Sequence, residues 1–161
     1  MLRAEAARCV VHISARADYA VRAALELALS PDAPVKGEAL ARAQDIPPKF
    51  LEGILSTLRR AGLVRSQRGA EGGYWLARPA EDISVADVIR AVDGPLAGVR
   101  GLRPEDVSYD GAATALGPVW VAVRANLRLV LEHVSLAQVA GDRLPAKVRR
   151  LAADPEAWIT R

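Results

Sequence analysis

The chain has 161 residues, about one domain's length, and its 51% hydrophobic and 25% charged residues describe a globular chain and exclude a disordered one. Its single cysteine, Cys9, excludes an internal disulfide framework and any metal site built mainly from its own thiolates, and no apolar run reaches the ~18 residues of a membrane span. The formal net charge of +3 is unevenly placed: residues 46–79 hold Lys49, Arg59, Arg60, Arg65, Arg68 and Arg78 against only Glu52 and Glu71. Such a local excess marks either a polyanion-binding half or a solvated basic face.

In chain order, the start MLRAEAARCVVHIS lacks the apolar stretch of a secretory signal, so a cytoplasmic protein is expected. Residues 14–29 read as a helix capped by Ser14, with Tyr19, Ala23 and Leu27 beside Val21, Leu25 and Leu29 at helical spacing. SPDAP at 30–34 is a turn, and Glu38 to Gln44 a short second helix. A third helix spans about 48–61, with Pro48 suited to its first position and Phe50, Leu51, Ile54, Leu55 and Leu58 as its apolar stripe. Its other face shows Lys49, Glu52, Gly53, Ser56, Thr57 and Arg60. Gly53 costs about 1 kcal/mol there relative to alanine. Either close approach of the backbone to a flat partner or tight internal packing compensates for it.

Residues 63–66 and 74–77 read as two short strands around the glycine-rich turn 68–73, a β-hairpin. A phosphate-binding loop is a poor reading of those glycines, because the Lys-Ser/Thr ending is missing. Ser84 and Asp87 form a capping box for a fourth helix, in which Val88, Ile89 and Val92 make the buried stripe and Gly94 the stop. Residues 95–117 are a connector. The segment 118–161 holds a long helix to about Val134 and a C-terminal piece. Val119, Val123, Leu127, Val130, Leu131 and Val134 form a seam, with Trp120, Val121 and Leu129 on other faces. A helix apolar on more than one side needs cover on more than one side, which implies a partner helix. Ser135 and Gln138 cap one further short helix.

Three helices followed by a basic hairpin make residues 12–94 a winged helix-turn-helix, and the fold class mainly α with a small β-hairpin wing. The third helix is placed to enter a major groove and the hairpin to touch the adjacent backbone or minor groove. Double-stranded DNA is therefore the expected partner; the alternative is a winged module that docks proteins. No Ser–His–Asp, Cys–His or paired-carboxylate set is readable, so no enzyme is expected.

The stretches ISARADYAVRAALELA at 13–28, IPPKFLEGILSTLRRAGLVRSQRGAEGGYWLARP at 46–79 and ISVADVIRAVDGP at 83–95, with Trp120 and SLAQVA at 135–140, resemble a bacterial repressor family. It is the Rrf-two family, typified by the iron–sulfur cluster regulator, the nitric-oxide-sensing repressor and the cysteine-metabolism repressor. The resemblance implies a homodimer crossing through the long helix, with two winged heads on a palindromic operator. By position it places Lys49 and Gly53 toward bases, Arg68 with Gly69 at the wing contact, and Arg16 near backbone phosphate. It places Glu52 where a carboxylate can accept from cytosine N4, unless Glu52 pairs with Arg16 or Lys49. Ser56, Arg60 and Arg65 complete the expected contact set. Members of the family also begin close to the residue aligned with His12. Residues 1–11 are then either the product of a start placed too early, with Val11 as the alternative, or an arm whose Arg3 and Arg8 touch DNA.

One departure stands out. Cluster-bearing relatives carry three cysteines in the connector, and GPLAGVRGLRPEDVSYDGAATALG has none. With Cys9 outside the domain and His12 and His133 scattered, no cluster, metal or other cofactor is expected. Arg100, Arg103 and Tyr109 instead make the connector a candidate loop for a small-molecule or protein effector, or a solvated loop.

Overall fold

The computed structural model describes residues 12–159; the extension 1–11, with Cys9, lies outside the described residues. Helix α1 (Ala15–Ala28) starts where the Ser14 side chain accepts from the Ala17 backbone N–H. Ala17, Ala20, Ala23, Ala24 and Leu27 line its buried face. Four alanines in five positions let neighbouring helices approach closely, and α1 becomes the central rod of the core. Around it lie α2 (Gly37–Gln44), α3 (Pro48–Arg60), α4 (Val85–Asp93) and α6 (Leu136–Ala140). Arg22 of α1 donates to the Gln44 carbonyl at the end of α2, and Asp45 then turns the chain in the left-handed region (φ 49°). That bond satisfies a free carbonyl and fixes α2 against α1.

Leu51, Ile54, Leu55 and Leu58 are the buried stripe of α3. Phe50 departs from it: the ring is 58% exposed. At 100° per residue, Phe50 points about 90° away from the centre of the Leu51–Leu58 stripe. It sits edge-on to Tyr19, with ring centroids 6.4 Å apart.

Strands β1 (Val64–Gln67) and β2 (Gly73–Leu76) pair antiparallel, with Val64 opposite Leu76 and Gln67 opposite Gly73. Both are one residue out from the expected 63–66 and 74–77. Leu63 is used to close α3, its N–H bonded to the Leu58 carbonyl at 3.0 Å. Val35 adds a one-residue third strand through two 2.8 Å bonds with Tyr74. This crossing explains the glycine pair. A Cβ at Gly72 would stand 2.1 Å from the Gln67 oxygen, and one at Gly73 2.7 Å from the Val35 oxygen. The two residues are buried by the wing itself.

The capping box of Ser84 and Asp87 forms in full, and Val88, Ile89 and Val92 are buried. The connector is tied down by Leu96, Pro104 and Val107, all buried, and by two short 3-10 turns at Pro104–Asp106 and Gly111–Ala113. Helix α5 (Leu116–Leu131) begins two residues earlier and ends three residues earlier than expected. Val134 accordingly leaves the seam. It lies beyond the helix and is buried in its own protomer, its carbonyl accepting from the Val85 N–H at 2.9 Å. Ser135 caps α6 with Gln138 in a second capping box, and Leu136, fully buried, docks the short helix into the core beside α1. The chain then continues through α7 (Ala146–Ala152), which buries no residue.

Ion pairs hold helix α5 at its middle and just past its end. Arg124 pairs with Glu105 of the connector, and Glu132, just past its last turn, pairs with Arg90 of α4. None of its sixteen residues is buried within the protomer. Val119 is 50% exposed, and Val121 and Leu129 are exposed beside it. Trp120, Val123, Leu127, Val130 and Leu131 are half-buried.

Candidate nucleic-acid interface

The helix-turn-helix presents one face to solvent. Pro48 occupies the first position of α3, so the missing N–H costs nothing there. Because the leucine stripe turns inward, Lys49, Glu52, Gly53 and Arg60 are exposed on the outer face, and Ser56 is half-buried among them. The packing explanation for Gly53 fails: nothing lies within 4 Å of where its Cβ would stand. Glu52 makes no ion pair among the described residues, so the alternative of a pairing with Arg16 or Lys49 is absent there.

Arg16 reaches α3 instead. Its Nη2 donates to Thr57 Oγ1 at 3.0 Å, and Thr57 Oγ1 donates to the Gly53 carbonyl at 3.0 Å. Arg60 Nη2 lies 3.4 Å from the same oxygen. One hydroxyl thus gives its proton and uses both lone pairs, clamping the first turn of α1 to the exposed face of α3.

The wing stands beside this face. Arg65, Arg68 and Gly69 are exposed, Gly69 with φ +108°. Lys36, just ahead of α2, donates through Nζ to the carbonyls of Gly69 (2.9 Å) and Ala70 (2.6 Å). The ammonium covers the negative ends of two tip dipoles, which leaves Arg68 and Glu71 as the outward side-chain charges of the tip. Arg59 Nη1 bonds Ser66 Oγ at 3.2 Å and ties the last turn of α3 to β1. Among the described residues, Lys49, Arg65 and Arg68 have no carboxylate partner in an ion pair. A row of unneutralised cations on a braced helix and hairpin suits a phosphate backbone.

Sequence reasoning missed Lys36, Thr57 and Arg59 as positioning groups. Their partners are 33, 41 and 7 residues away, and no local pattern signals such contacts.

In the connector, the Arg100 guanidinium lies 5.9 Å from the centre of the Tyr109 ring, a cation–π contact, while Arg103 is exposed. A hydrogen bond from its own backbone N–H holds the Glu105 carboxyl below its ordinary range, and Arg124 adds to this. Among the described residues, no three His, Cys, Asp or Glu side chains are grouped to hold a metal ion.

Comparison with known proteins accords with this geometry. Residues 13–142 match the model of the Rrf2 family, described as an iron-dependent transcriptional regulator. The chain is 54% identical over 145 residues to the putative HTH-type transcriptional regulator Rv1287 of Mycobacterium tuberculosis (strain ATCC 25618 / H37Rv), covering 89% of this chain and 90% of that one. It is 32% identical to the HTH-type transcriptional regulator CymR of Bacillus subtilis (strain 168), over 80% of this chain and 88% of the relative. The solved structure of CymR, the global cysteine regulator of B. subtilis, superposes with a TM-score of 0.71 at 30% identity, covering 83% of this chain and 98% of that one. That of T. potens IscR gives 0.66 at 31% identity and 93% coverage of both. The chain belongs to the Rrf2 family of helix-turn-helix transcriptional regulators, and is a regulator and not an enzyme.

Proposed function

We propose that the protein is a repressor that binds a palindromic DNA operator as a homodimer and works without an iron–sulfur cluster. The observation that carries this reading is the outer face of α3. Lys49 and an open Gly53 lie on it, braced through Thr57 to α1, beside a wing whose Arg68 has no acidic partner. Lys49, Gly53 and Glu52 approach base edges. Arg16, Ser56, Arg60, Arg65, Arg68 and Gly69 follow the backbone or the adjacent minor groove. Val119, Trp120, Val123, Leu127, Val130 and Leu131 support the dimer, because a helix apolar on several sides and buried on none within its protomer is stable only when covered. Two heads then meet two half-sites about one helical turn, roughly 10 bp or a multiple, apart. Occupying the operator excludes other proteins from it, which is the sense in which we read the protein as a repressor; the cytoplasm is its place of action.

The family's iron has no donor set here. The connector contains neither cysteine nor histidine, and a [2Fe–2S] cluster needs four ligands, mostly thiolates. Selection from a random DNA library identifies the operator. On that operator, affinity is expected to fall steeply with salt, and Arg68→Ala to weaken binding with a shallower salt slope. Unchanged affinity in Arg68→Ala would remove the wing from this reading, and failure to select any sequence would leave the protein-docking module.

A further inference from the structure

A cavity of about 610 Å³ opens between the start of α1, the end of α4, the connector and α5. Its walls are mostly apolar: Ile13 just ahead of α1 and Ala17 in its first turn, Ile89 and Leu96 from α4 and the connector, Trp120 and Leu127 from α5. The volume falls within the range of small-molecule sites, and the mix of apolar walls with few polar groups matches them. At the rim, Asp93 is already engaged, accepting from the Ser14 hydroxyl. Arg100 is also at the rim, exposed, and has no carboxylate partner in an ion pair among the described residues. An apolar hollow with a guanidinium at its mouth is complementary to a molecule with an apolar body and an anionic oxygen head.

We infer that this cavity is an effector site for a small organic acid, its apolar body lying between α1 and α5 and its carboxylate meeting Arg100. The pairing is a charge-assisted hydrogen bond of the kind guanidinium makes with carboxylate. The site is linked to the proposed DNA face by adjacent residues. Ala17 lies in the wall, and Arg16, its neighbour in the first turn of α1, holds Thr57 on α3 at 3.0 Å. A ligand that binds one placement of this turn better than another shifts the setting of α3 by that difference in affinity. The regulatory consequence rests on the DNA-binding reading; ligand binding itself does not.

The test uses decanoate as probe, with 1-decanol and acetate as controls. Equilibrium dialysis on the unaltered full chain is expected to show saturable binding of one decanoate per chain and none of acetate. Arg100→Gln, a change at an exposed position, is expected to weaken decanoate at least tenfold and leave 1-decanol unchanged. In a Trp75→Phe/Trp158→Phe background, the emission of Trp120 should change with decanoate at fixed protein concentration. No saturable decanoate binding, or equal binding by Arg100→Gln, overturns the site. So does Trp120 emission that responds to protein dilution and not to decanoate, since the cavity wall is then a contact between two copies. If decanoate binds but operator affinity does not move, the effector role falls while the DNA reading stands; if operator binding fails but decanoate binds as described, the reverse holds.

Discussion

Replacing Gly53 by alanine separates folding from DNA reading. The residue lies in the interior of α3, is exposed, and has open space for a Cβ. With no clash to offset it, the gain is the helix propensity difference, about 1 kcal/mol. For a chain of this length that raises the midpoint of thermal unfolding by about 2–4 °C. The same methyl stands on the face proposed to approach the bases. If it displaces one base contact in each head, each loses about 1–3 kcal/mol, so operator affinity falls by tenfold or more. Thermal unfolding followed by circular dichroism, and operator titration by fluorescence anisotropy at one salt concentration, measure the two effects on the same preparation. A variant that is more stable and binds as well as the parent would refute the close-approach explanation of this glycine. A less stable variant would refute the open geometry.

Much of the fold was legible because its signals are local. Ser14, Ser84 with Asp87, and Ser135 with Gln138 are caps defined within four residues, and all three form. Pro48 and the stripe from Leu51 to Leu58 locate α3 in the same way. Phe50 was misplaced because an apolar residue one step from a stripe is a quarter-turn off it in space, and an aromatic ring can rest on another exposed ring. Val134 shows a different limit. Its spacing from Val130 and Leu131 continues the seam, and it is indeed buried, but in its own protomer. Periodicity reports that a residue is covered; it does not report by what. The cap at Ser135 was the better evidence, since an extended capping residue (φ −83°, ψ 159°) requires the preceding helix to have ended.

The candidate site was legible as a list of exposed polar residues on one helix and one turn, and less so as a mechanism. The sequence pattern correctly separates the inner and outer faces of α3. It carries no trace of Lys36 clasping the wing tip or of Thr57 joining Arg16 to Gly53, because both contacts depend on how α1, α2 and the hairpin pack. The glycines at 72 and 73 were read as turn formers, whereas the structure uses them for a backbone crossing with Gln67 and Val35.

Three further outcomes follow from particular contacts. Val123→Asp with Leu127→Asp places charges on half-buried residues of the proposed dimer seam of α5 and should yield monomers in sedimentation at micromolar concentration; an unchanged dimer would move the interface elsewhere. The Glu132 carboxyl is held below its ordinary value of 4.5, first by the hydrogen bond from Arg90 and then by that from Arg128. A lowered folded value means that this contribution to stability is present above about pH 4.5 and is lost as pH falls through the lowered value. Urea midpoints measured through that window should fall less in Glu132→Gln than in the parent, and identical pH profiles would show the pair to be unimportant. The last outcome concerns iron, where family membership and residue inventory point in opposite directions. A cluster shared between two copies would have from each chain one cysteine, Cys9, with His12 and His133 as the nitrogen donors. His133 lies next to Val134, where the chain turns from α5 into α6, and the connector that would have to enclose a cluster supplies Leu96, Ala97, Gly98 and Val99 to an apolar wall. Thiolate-to-iron bonds absorb visible light, so protein purified without oxygen is expected to be colourless and its operator affinity indifferent to iron chelators. Stoichiometric iron and sulfide in that preparation would refute the argument, because they would require ligands other than those the chain offers at the connector.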